Sequence, residues 1–99
     1  MNHTVNLAIQ VLPLRLPKAE TLRIIDKAIE AIQASGMKYV VCPFETVIEG
    51  PYDQVMQLLN DVQDACYKAG ATELIINMKL HRSSDADLLI DDKIGKYRE

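Results

Sequence analysis

Aromatic residues are scarce in this sequence: tryptophan is absent, phenylalanine occurs once, at Phe44, and tyrosine four times. A sheet that stacks RNA bases needs aromatic rings on its central strands and a basic surface around them. Here 14 acidic residues outnumber 11 Lys and Arg, the formal charge is −3, and no basic run occurs. Both shortages argue against a nucleic-acid partner. Cysteine occurs twice, at Cys42 and Cys66, too few for a disulfide framework and too far apart for a zinc site. Two buried, reduced thiols are expected, and no bound metal. The four glycines, at positions 36, 50, 70 and 95, each fall where a chain turns or stops. They build neither a phosphate-cradling loop nor a dinucleotide fingerprint, so no cofactor is expected. Ser35, Ser83 and Ser84 lack the setting of a nucleophile elbow. No apolar stretch approaches the roughly 18 residues that span a bilayer, and Met1 to Thr4 lacks the basic and apolar blocks of a secretory leader. A cytoplasmic protein without a membrane partner is the expectation.

Aliphatic residues, by contrast, are abundant. Of the 99 residues 48% are hydrophobic, and 28 are Ile, Leu or Val, which excludes a disordered chain. The length suits one domain over residues 1–99, burying roughly 65% of its unfolded surface.

The order of these residues specifies elements. From Thr4 to Leu12 the sequence alternates, with Val5, Leu7, Ile9 and Val11 on one side, as in a strand with one buried face. Pro13 and Pro17 interrupt it. Leu22, Ile25, Ala28, Ile29 and Ile32 then fall three and four apart, forming the apolar stripe of a helix over Lys18–Ser35 that Gly36 closes. Met37–Cys42 and Phe44–Glu49 read as a hairpin around Pro43. Pro51 suits the first turn of a second helix striped by Val55, Leu58, Leu59, Val62 and Ala65 and ended by Gly70. Thr72–His81 alternates again, with Leu74, Ile76, Met78 and Leu80 expected inside. Asp87–Tyr97 reads as a weaker closing helix.

The predicted fold is therefore α+β, a ferredoxin-like βαββαβ sandwich with a four-stranded antiparallel sheet in the order 4-1-3-2 and an extra C-terminal helix. The sheet face away from the helices mixes Asn6, Gln10, Glu73, Asn77 and Lys79 with Ala8, Leu12, Val40 and Ile75. A mixed face suits another subunit or a ligand. The competing reading is that the C-terminal helix folds back over it.

Candidate chemistry is sparse. His3 and His81 end neighbouring strands, with Asp85 near, but such a pair reads first as a solvated strand end. Acylphosphatase-like catalysis would need an Arg in the first loop, where Arg15 lies, and an Asn between Phe44 and Glu49, where none occurs. Glu45, Thr46 and Glu49 beside Phe44 are the most polar strand residues. They fit either one wet strand face or a small polar pocket that holds a cation.

At this hairpin a resemblance enters. Asn6-Leu-Ala-Ile-Gln-Val-Leu-Pro13, Ser35-Gly-Met-Lys-Tyr39 and Pro43-Phe-Glu-Thr-Val-Ile-Glu-Gly50 resemble the small thiamine-binding (YkoF-like) proteins. Lys79, Arg82 and Asp92-Lys93 extend the likeness along the tail. The resemblance implies a ferredoxin-like protomer that self-associates into dimers or tetramers. It further implies binding of thiamine, or its hydroxymethylpyrimidine portion, without catalysis, as carrier, buffer or sensor. Thr46 is the ligand residue tied to the family motif. Strand position adds Glu45 or Glu49 for the thiazolium charge, Gln10 and Asn77 for the aminopyrimidine edge, and Phe44 or Tyr39 for stacking or cation–π contact. The alternative is a homo-oligomeric interaction or regulatory module with no small-molecule ligand. A weaker third reading, an enzyme with a carboxylate base at Glu45 or Glu49, lacks an evident acid, metal or nucleophile.

Overall fold

The computed structural model describes residues 2–98. Its elements are β1 (Thr4–Pro13), α1 (Lys18–Ala34), β2 (Lys38–Val41), β3 (Thr46–Pro51), α2 (Tyr52–Lys68), β4 (Leu74–His81) and α3 (Ile90–Ile94), followed by a 3₁₀ turn over Gly95–Tyr97. The strands form one sheet in the order β2-β3-β1-β4 with every neighbouring pair antiparallel. This is the expected ferredoxin-like βαββαβ sandwich with a short extra C-terminal helix.

The core lies between the helices and one sheet face. Leu7 and Ile9 of β1 and Ile48 of β3 meet Ile24, Ala28 and Ile32 of α1 and Val55, Leu58, Val62 and Cys66 of α2. Each fully buried aliphatic contributes about 1.5–3 kcal/mol relative to exposure, so these few residues dominate stability. Gly36, at φ 76°, takes the left-handed conformation that closes α1. Arg23 ties the two helices together, its Nη2 donating to Ala69 O at 2.6 Å.

Four local expectations are corrected. The buried ridge of α1 is Ile24, Ala28 and Ile32, spaced by four, whereas Leu22 is exposed. On α2, Cys66 is buried more deeply than Ala65. Phe44 and Glu45 belong to a turn, not to β3: the Cys42 N–H donates to Glu45 O at 2.9 Å, and Phe44 is 81% exposed. Met78 and Leu80 lie on the helix-side register of β4 but are nearly half exposed. As an edge strand, β4 has a neighbour on one flank only.

The face away from the helices carries an ordered ladder. Register sets Lys38, Glu49, Asn6 and His81 in one row across all four strands. Val40, Val47, Ala8 and Lys79 form the next row, and Gln10 pairs with Asn77 in the third. The C-terminal segment crosses the first row, so the competing reading of that face, a fold-back of the segment, applies at one end of it. Asn6 Nδ2 donates to Leu88 O at 3.0 Å, the Ile90 N–H donates to Glu49 Oε1 at 2.6 Å, and Lys38 Nζ reaches Asp91 Oδ2 at 2.7 Å. Lys93 Nζ lies 2.7 Å from His81 Nδ1. Backbone bonds extend the seam, with the Leu88 N–H donating to Thr4 O and the Thr4 N–H to Asp87 Oδ1. The segment is helical only over Ile90–Ile94, shorter than its apolar pattern predicts.

Candidate functional site

The register divides the seven expected ligand residues between the two sides of the sheet. Thr46 pairs with Ile9 and Val41 and faces α1, and Tyr39 pairs with Ile48 on the same side. Gln10, Asn77 and Glu49 belong to the opposite side. Phe44 and Glu45 sit in the turn that wraps the end of the sheet.

A cavity of about 270 Å³ opens where this turn meets α1. Its walls are aliphatic, including Ile9, Ile25, Ile29 and Ile32, and its polar contributors cluster at Gln10 and Cys42 to Thr46. Four of the expected residues, Gln10, Phe44, Glu45 and Thr46, therefore border one space. Thr46 is only 6% exposed, and its hydroxyl makes no hydrogen bond among the described residues. Asn6 Oδ1, not this hydroxyl, is the buried unpaired side-chain atom among the described residues, so the Thr46 hydroxyl keeps access to the cleft and can meet a ligand donor or acceptor there. Among the described residues Glu45, half-buried, is the one charged residue on the wall and forms no ion pair. The exposed Phe44 ring stands at the mouth. An anionic, otherwise apolar cleft with an aromatic face suits a cationic heteroaromatic molecule.

The other expected residues have different duties. Glu49 is spent on the Ile90 N–H, and the amides of Gln10 and Asn77 bond each other, Asn77 Nδ2 donating to Gln10 Oε1 at 3.1 Å. Tyr39 packs partly buried against the core, away from the turn cavity's wall. The histidines do not converge: His3 Nδ1 lies 3.4 Å from Asp87 Oδ1, while His81 meets Lys93. Among the described residues no three His, Cys, Asp or Glu side chains gather to hold a metal. Arg15 pairs with Glu73 at 3.4 Å and borders neither cavity described here.

A second cavity, of about 410 Å³, lies on the open face beneath the C-terminal segment. Asn6, Ala8, Val40 and Val47 floor it, and Ile90 and Ile94 roof it. Sequence reasoning missed this space, because a segment whose helix is five residues long left no periodic signal of where it docks.

The fold and the turn cavity define a small α+β protein with an open, largely apolar cleft at one end of its sheet. A family model for thiamine-binding proteins matches residues 7–98, and the chain belongs to that family. It is 33% identical to a UPF0045 protein of Clostridium perfringens over 95 residues, 96% of this chain and 98% of that one. A domain-of-unknown-function structure from Bacillus cereus, of the DUF77 group, superposes with a TM-score of 0.90 at 35% identity, covering 100% of this chain and 94% of that one. A Thermotoga maritima protein provisionally assigned to thiamine biosynthesis or salvage superposes with a TM-score of 0.87 at 27% identity, covering 96% of this chain and 99% of that one. These likenesses support a thiamine-related role. No helix among the described residues is long and apolar enough to cross a membrane.

Proposed function

We propose that the chain binds thiamine, or its hydroxymethylpyrimidine portion, in the turn cavity and performs no chemistry on it, serving as carrier, buffer or sensor in the cytoplasm. The observation that carries this reading is the Thr46 hydroxyl, which has no hydrogen-bond partner among the described residues and borders an apolar cleft where Glu45 is the one charged wall residue among them. The Glu45 carboxylate complements a permanently cationic thiazolium, and Phe44 offers a ring face worth about 0.5–2 kcal/mol to a cation. At about 270 Å³ the cleft is near the lower bound of small-molecule pockets, which favours the pyrimidine portion inside and the thiazolium toward the mouth. The Cys42 thiol shares the wall with Glu45, but among the described residues no His, Lys or Arg lines the cleft to activate it, which supports binding over catalysis.

Calorimetric titration with thiamine and with hydroxymethylpyrimidine tests the proposal. Saturable heat with unchanged ligand is expected. Thr46→Val should weaken binding by about tenfold while leaving oligomer size unaltered, since it deletes a single hydrogen bond of roughly 1–1.5 kcal/mol. Absence of heat and of thermal stabilisation in excess ligand would sink it.

The second reading, a self-associating module, has its own observation. Leu12 and Ile75 of the open face are exposed beyond the reach of the C-terminal segment. Covering them in a dimer or tetramer would remove apolar surface from water. Light scattering decides this point, a strict monomer counting against it.

A further inference from the structure

The cavity beneath the C-terminal segment has the opposite electrostatic character from the turn cavity. Lys79 contributes from β4, Lys93 from α3 and Arg98 from the chain beyond, and His81 stands beside them. Among the described residues no Asp or Glu lines this space, although the chain has 14 acids against 11 Lys and Arg. Of the carboxylates at this end of the sheet, Glu49 and Asp91 are committed to the Ile90 N–H and to Lys38. Lys79 and Arg98 form no ion pair among the described residues. A lysine ammonium can only donate, so in its 2.7 Å contact with Lys93 the His81 Nδ1 is the acceptor. The ring proton then sits on Nε2, a further donor. Three cations and one N–H donor thus border a single concave space.

A second observation is independent of charge. Asn6 lines the cavity floor, is 5% exposed, and has its Nδ2 occupied by Leu88 O. Its Oδ1 is buried and accepts no hydrogen bond. Because the Leu88 bond fixes the amide orientation, the unsatisfied atom is an acceptor. It calls for an N–H or O–H donor, and buried polar atoms rarely go unpaired. A simple anion does not meet that demand, and a neutral ligand does not meet the cations.

We propose that this cavity is a second ligand site, for a small phosphorylated molecule that also carries a hydroxyl or amino donor. A phosphate dianion matches a three-cation wall better than a single carboxylate, and Arg98 can grip two of its oxygens. The donor on the organic part satisfies Asn6 Oδ1. A cavity of about 410 Å³ accommodates a phosphosugar-sized ligand, and the C-terminal segment, held by the first-row hydrogen bonds, forms its roof. This site is separate from the Thr46 cleft and does not depend on what that cleft binds.

Calorimetry with ribose 5-phosphate, ribose and inorganic phosphate tests it on the full chain. Ribose 5-phosphate should bind saturably, inorganic phosphate more weakly, and ribose not at all. The Lys79→Met, Arg98→Met pair should weaken ribose 5-phosphate at least tenfold, with an unchanged melting temperature because both side chains are exposed. If that pair proves unstable, Lys93→Met with a checked circular dichroism spectrum takes its place. Thr46→Val should leave phosphate binding unaltered, which separates this site from the thiamine proposal. The inference is overturned if neither anion binds at 10 mM concentrations, or if binding survives loss of the cations. It is equally overturned if ribose binds as well as its phosphate.

Discussion

Glu49 Oε1 accepts a 2.6 Å hydrogen bond from the backbone N–H of Ile90, 41 residues further along the chain. The contact converts a family-motif glutamate from an expected ligand residue into an anchor for the C-terminal segment. It belongs to a row in which each strand supplies one group: Lys38, Glu49, Asn6 and His81 all bind that segment. Lys38 is held above the ordinary lysine pKa, chiefly by its hydrogen bond to Asp91. The Ile90 N–H bond to the half-buried Glu49 carboxylate is charge-assisted and less screened by solvent than the exposed Lys38–Asp91 pair.

Glu49→Ala should therefore loosen the segment. The Ile90 N–H would lose its partner, at a cost of about 1–3 kcal/mol. Hydrogen exchange should quicken at residues 88–94 while β1 and β3 keep their protection. Glu49→Gln retains an acceptor oxygen and should lose less. If Glu49→Gln abolished thiamine binding without faster exchange at Ile90, the anchoring role would be the wrong one.

Gly50 follows in the same motif and has a packing duty. A Cβ there would run into the Met37 side chain and touch Val55 Cγ2 at 3.4 Å. Gly50 is buried in β3, so Ala must displace Met37 from its place against the core. Gly50→Ala should cost about 1–3 kcal/mol in urea unfolding. Met37 is flexible, so Met37→Ala in the same chain should recover part of that loss, a coupling measurable as a double-mutant cycle. Strict additivity of the two changes would refute the clash.

Cys66 is fully buried among Val55, Val62 and the other core residues, and this desolvation raises its thiol pKa above the ordinary 9.0. The sign follows from linkage. The folded state holds the proton where the unfolded state has released it, so the contribution is intact below pH 9.0 and fades as pH climbs toward the folded pKa. Unfolding midpoints of the wild-type chain should fall above about pH 9, and Cys66→Val should show a shallower decline. Iodoacetamide should modify the half-buried Cys42 well before Cys66 in native protein.

These contrasts explain what was readable in advance. Period-two alternation in Val5–Val11 and the aliphatic spacing in α2 state which side of each element is inside, so topology and core followed from pattern. Thr46, Glu45 and Phe44 stand out in the sequence because polar and aromatic residues interrupt an apolar hairpin, and all three border one cleft. Thr46 opens β3 as expected, whereas Phe44 and Glu45 fall outside it because the chain turns over residues 42–45. Glu49 was misplaced for a different reason. Which face a polar residue occupies is legible, but its partner is Ile90, brought in by a nonperiodic tail, and nothing local encodes that meeting. The basic cavity escaped notice on the same ground, since Lys79, Lys93 and Arg98 come together only after the tail docks.

Gln10 and Asn77 supply the sharpest test of how the two faces divide the work. Their amides bond each other at 3.1 Å on the open face, across the β1–β4 pair, while Thr46 faces α1 on the other side of the sheet. Gln10 does border the turn cavity, yet its Oε1 is already occupied by Asn77. Asn77 is exposed, so the pair is solvated and its loss should cost no more than about 0.5–1.5 kcal/mol. Asn77→Ala should consequently leave thiamine affinity within twofold of wild type, whereas Thr46→Val lowers it about tenfold. A tenfold loss in Asn77→Ala, with the melting temperature preserved, would move the aminopyrimidine edge to the open face. Retention there, paired with loss at Thr46, locates the ligand under α1.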